Sequence, residues 1–87
     1  MTAEEFVRKA VRGNNWITPD IIECGMIGSD AAYELSEGVN LYGLPVYGVT
    51  VCRRVDGEYI HDRSVGKYCQ SLSEAKDHIK LLQGVFK

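Results

Sequence analysis

Val46-Tyr47-Gly48-Val49-Thr50-Val51-Cys52-Arg53-Arg54-Val55-Asp56-Gly57-Glu58-Tyr59-Ile60 reads as a β-hairpin. Its first arm is rich in β-branched and aromatic residues, and Asp56-Gly57 falls where a two-residue turn requires φ > 0. A helix would have to absorb Gly48 and a run of β-branched residues. With Asp56-Gly57 as the turn pair, Val55 stands opposite Glu58, Arg54 opposite Tyr59, Arg53 opposite Ile60 and Cys52 opposite His61. One face then carries Val49, Val51, Val55 and Ile60 and is expected beneath helices. The other carries Thr50, Cys52, Arg54, Tyr59, His61 and Arg63 and is expected to face outward. Arg53, on the apolar face, fits there if it sits near a sheet edge and snorkels to water.

Working back from the hairpin, Gly38–Pro45 is a loop of turn formers carrying the exposed-looking apolar residues Val39, Leu41, Tyr42 and Leu44. Ala31–Glu37 is expected as a strand, because Gly38 follows too soon for a stable helix and the hairpin needs a partner. Gly28-Ser29-Asp30 is a turn. Asp20–Cys24 is read as a short strand on the strength of Ile21-Ile22. Thr18-Pro19-Asp20 also spells a helix start, but Gly25 leaves such a helix little room. At the front of the chain, Thr2 and Glu5 have capping-box spacing, and Ala3, Phe6, Val7, Ala10 and Val11 make an apolar stripe. Glu4, Arg8, Lys9 and Arg12 lie outside it, and Gly13-Asn14-Asn15 is expected to stop the helix.

Forward of the hairpin, Asp62–Gly66 loosens and Lys67–Gln70 returns as a short extended piece. Ser71 and Glu74 form a second capping box, with Leu72, Ala75, Ile79 and Leu82 buried, Lys76, Asp77 and Lys80 outside, and Gly84 at the end. The expected architecture is α+β in the order α-β-β-β-β-α: one domain over residues 1–87, with a three- to four-stranded antiparallel sheet and both helices packed on one face.

At 87 residues the chain supports one compact core. Composition, 45% hydrophobic and 25% charged, is that of a globular protein. No apolar run approaches the roughly 18 residues of a membrane span, and the acidic, amphipathic start is unlike a signal peptide. Cys24, Cys52 and Cys69 are odd in number and lack C-x-x-C spacing, so they are read as reduced thiols of a cytoplasmic protein. No Lys or Arg occurs between Gly13 and Cys52, where Asp20, Glu23, Asp30, Glu34 and Glu37 fall. An acidic and a basic region are expected if these segments are not interleaved in space.

Few residues suggest chemistry. Cys52, His61, Cys69 and His78 match no zinc spacing, so no metal or cofactor is expected. His61 and Asp62 are neighbours in a strand and point to opposite faces, so they form no catalytic dyad. The glycines form no phosphate-binding loop. A non-enzymatic protein-protein interaction module is therefore expected, using Glu34, Glu37, Leu41, Tyr42, Arg54, Tyr59, His61 and Arg63 against a larger protein. An inhibitor of a larger host complex, of the kind phages and mobile elements encode (an anti-CRISPR protein, for example), matches the size and the lack of catalytic groups. Nucleic-acid contact through Arg53, Arg54, Tyr59, His61 and Arg63 is the alternative, and homodimerisation through the first strand stands beside both. The Asp-Gly hairpin and the Ser-Leu-Ser-Glu-Ala helix start recur in unrelated small α+β proteins and single out no family.

Overall fold

The computed structural model describes residues 2–10 and 20–86, without the side chains of Asp20 and Arg63. Within them lie α1 (Ala3–Ala10), β1 (Asp20–Gly28), β2 (Ala31–Val39), β3 (Pro45–Val55), β4 (Glu58–Cys69) and α2 (Leu72–Val85). The strands form one antiparallel sheet in the order β1-β2-β3-β4, a meander in which every connection is a hairpin. The α+β class and the element order are as the sequence predicts. No helix among the described residues is long and apolar enough to cross a membrane.

The central hairpin has the expected register: Val55↔Glu58, Arg54↔Tyr59, Arg53↔Ile60 and Cys52↔His61. Its turn explains why. Asp56 and Gly57 have φ of 52° and 80°, the pair of positive angles that matches the twist of adjoining strands. Val51 pairs with Asp62 but Val49 pairs with Lys67, so the predicted loosening after Asp62 is a bulge within one continuous strand. β1 and β2 extend past their predicted ends, to Gly28 and Val39, and meet at a turn of Ser29 and Asp30.

Both helix starts follow the sequence. The Glu5 amide donates to Thr2 Oγ1 and the Glu74 amide to Ser71 Oγ, each at 3.2 Å. Leu72, assigned to the buried stripe of α2, is exposed, while Ala75, Ile79 and Leu82 are buried. The helix does not end at Gly84 but runs to Val85, where the Phe86 amide donates to the Leu82 carbonyl. Phe86 anchors this last turn. Its ring lies under the Arg53 guanidinium, 5.2 Å from its centroid, and its backbone crosses Gly28 so closely that a Cβ there would sit 2.1 Å from the Phe86 oxygen. Val11 and the Gly13-Asn14-Asn15 stop, like Thr18-Pro19, lie outside the described residues.

The expectation that both helices share a face is overturned. Ala75, Ile79 and Leu82 of α2 pack with Ile27, Ala31, Tyr33, Leu35, Val49, Val51 and Cys69. Phe6 and Val7 of α1 pack with Ala32 and Cys52, the alternate residues of the same strands, in a separate cluster. The sheet therefore lies between the helices. Ala31, Ala32 and Tyr33 are buried in succession, as are Val51 and Cys52, which requires cover on both sides. Val55 and Ile60, expected beneath helices, belong to neither cluster and remain exposed.

Candidate functional site

The eight residues singled out from the sequence do not form one surface. Leu41 and Tyr42 lie in the β2–β3 loop, at one end of the sheet. Arg54 and Tyr59 flank the β3–β4 turn at the other end, and the eleven residues of β3 between them span roughly 35 Å. Glu34 and Glu37, three apart on β2, point to opposite faces. The side chain of Arg63 lies outside the described residues.

The sheet face expected to look outward is the one that α1 covers. Cys52 is fully buried, and its thiol is pushed up to about 12, chiefly by burial and further by Glu34. Tyr59 is half-buried, meeting the edge of Phe6 at a ring separation of 4.9 Å, with Lys9 Nζ over its ring. His61 stands half-buried opposite Cys52. Arg54 is exposed but engaged: its guanidinium bonds Asp30, and its amide donates to the Asp30 carbonyl at 2.8 Å. Among the described residues, the Tyr59 ring that base stacking would use is met by Phe6 and Lys9.

The acidic stretch is likewise divided. Asp30 is neutralised by Arg54, Glu23 accepts from the Tyr33 hydroxyl at 2.9 Å, and Glu34 is half-buried on the α1 side. Burial raises the Glu34 carboxyl above its ordinary range. A carboxyl raised on folding contributes its stability below the unfolded pKa and loses it as pH rises through the folded one. Asp62 has the opposite sense: bonds from Ser64, then from Arg53, hold it below the ordinary range, so its contribution is lost on acidification. Glu34→Gln is expected to melt above wild type at pH 7, the gap shrinking toward pH 4. Thermal melts of both proteins at the two pH values check this, and a gap constant across them would show that Glu34 ionisation costs the fold nothing.

His61 and Asp62 lie on opposite faces, as their adjacency in a strand requires. Asp62 instead accepts from Arg53 at 3.2 Å and from the Ser64 amide at 3.0 Å. His78 bonds the Val65 carbonyl at 2.8 Å, away from His61 and Cys52. No group of three or more His, Cys, Asp or Glu converges among the described residues. β1 is an edge strand, and bulges between Ile21 and Glu23 and between Met26 and Gly28 interrupt it, a common guard against edge-to-edge pairing.

The β2–β3 loop has the most pronounced surface geometry. Val39, Leu41, Tyr42 and Leu44 are all exposed, Leu41 at 101% and Tyr42 at 88%. They do not hang on a slack chain. The Gly43 amide donates to the Asn40 carbonyl at 3.0 Å and the Asn40 amide to the Leu44 carbonyl at 2.9 Å. Asn40 Oδ1 accepts from the Tyr42 and Leu44 amides at 2.9 and 3.1 Å, and Gly43 takes the φ of +77° that the bend needs. Sequence reasoning passed over Asn40. The available signal was Asn at the first and Gly at the fourth position of a turn.

Asn40→Ala removes the side-chain oxygen that accepts from two backbone amides, each bond worth about 1 kcal/mol. Exchange of the Tyr42 and Leu44 amides is expected to quicken about tenfold while the core amides keep their protection. Hydrogen exchange followed by NMR measures both sets, and unchanged loop amides would show that the turn holds without Asn40. No protein-family model matches the chain, and no curated protein sequence or solved structure matches it.

Proposed function

We propose that this chain is a non-enzymatic binding module that engages a larger protein through the β2–β3 loop. The observation that carries the reading is the pairing of exposure with order: Leu41 and Tyr42 stand in water on a turn closed by four hydrogen bonds. A backbone ordered before binding has less conformational freedom to lose when its apolar side chains enter a pocket, so more of their burial goes into affinity. Tyr is among the residues enriched at such contacts. An inhibitor of a larger host complex, as phage-encoded anti-CRISPR proteins are, is the narrower form of the proposal and rests on size alone. The test is capture from a native-host lysate by the wild-type chain and by Leu41→Ser/Tyr42→Ser in parallel. A stoichiometric partner retained by the first and lost by the second supports the loop. Equal retention by both overturns it.

A further inference from the structure

Resting on that reading, we propose that the partner surface is an apolar socket with a cationic rim, a Lys or Arg placed to meet Glu37. Glu37 is exposed and lies two residues before Val39, at the foot of the loop. Across the sheet its neighbours are Tyr47 on β3 and Asp20 on β1, so the register brings a second acidic position beside it. The described ion pairs join Arg8 to Glu4, Arg53 to Asp62, Arg54 to Asp30 and Lys67 to Glu74, and Glu37 belongs to none of them. Lys67, the basic residue of β4 toward this end, is held by Glu74 at 3.3 Å. The loop has no charge of its own, and no Lys or Arg occurs between Gly13 and Cys52.

Among the described residues, Glu37 is therefore a carboxylate at the foot of the loop with no ion-pair partner. Arg54 and Arg53, the cations that follow in sequence, are at the far end of β3 and already engaged with Asp30 and Asp62. An apolar anchor beside one uncompensated carboxylate selects a partner that offers a cation next to a pocket. It disfavours an acidic surface through like-charge repulsion.

The probe is a random 12-residue peptide library displayed on phage, selected on the immobilised full chain and counter-selected on Leu41→Ser/Tyr42→Ser. Peptides that survive are expected to combine aliphatic or aromatic residues with Lys or Arg in excess over the unselected library. The synthetic consensus peptide is expected to bind Glu37→Lys about tenfold more weakly than wild type, and its Lys- or Arg-to-Glu counterpart to show the reverse preference. Loop-dependent peptides without a basic excess, or an affinity indifferent to Glu37→Lys, would overturn the cationic rim and leave the loop reading standing. A selection yielding only peptides that bind regardless of the loop would overturn the loop reading itself.

Discussion

Leu41→Ser/Tyr42→Ser is expected to lose partner affinity by a hundredfold or more while melting within a few degrees of wild type. Both side chains are exposed and contribute nothing to either buried cluster, so their removal leaves the core untouched. Surface substitutions of that kind usually shift stability by about 0.5 kcal/mol or less. Central interface anchors cost about 2 kcal/mol or more each when truncated, and each 1.4 kcal/mol is about a factor of ten. Two of them on one rigid turn should therefore act far above the scatter of a binding titration. Isothermal titration with the captured partner, set beside thermal melts of the free proteins, separates the two effects. A fall in melting temperature that parallels the loss of binding would mean that the loop supports the fold and is not a free contact surface.

Phe6→Ala is expected to expose the Cys52 thiol by about a hundredfold while leaving Cys69 protected. α1 has eight residues, too few to be helical on its own, and is held to the sheet by Phe6 and Val7. Removing a buried Phe side chain costs about 3–5 kcal/mol. Among the described residues, that loss falls on a cluster of four on the α1 side, whereas the cluster beneath α2 has ten. Local release of α1 is thus the easier response than unfolding of the sheet. Cys52 lies directly beneath α1 and Cys69 on the opposite side with α2, so the two thiols report on the two layers. Labelling with a thiol reagent, resolved by peptide mass spectrometry, gives both rates. A parallel rise at Cys52 and Cys69 would show that α1 is lost only with the whole fold. Burial that raises the Cys52 thiol would also be relieved on release, which adds to the contrast.

Both predictions depend on features the chain encodes very differently. The loop was legible as apolar and exposed, since Leu41, Tyr42 and Leu44 lie among turn formers. Its rigidity was not, because it rests on one amide oxygen of Asn40 reaching two backbone amides. The candidate surface drawn from sequence joined charges to these anchors. In the fold those charges are scattered: Glu34 is half-buried on the α1 side, Arg54 is tied to Asp30 across 24 residues of chain, and only Glu37 remains beside the loop.

The sequence by itself determined what short-range physics decides. Asp56-Gly57 sets the register of the central hairpin through two positive φ angles, and Thr2 and Ser71 start the helices by accepting amides three residues on. The strand identity of 46–60 and the order of elements follow from such local rules. Tertiary structure alone decided which side of the sheet each helix covers. Thr50, Cys52 and Tyr59 read as an outward face because alternation was counted for a sheet covered on one side. Ala32, Cys52 and the ring of Tyr59 are apolar enough to take Phe6 and Val7 as readily as Val49 and Val51 take α2. Thr50, Arg54 and His61 make a polar row that marks this face as outer, and only the path of α1 across the sheet covers the Cys52 and Tyr59 that lie among them.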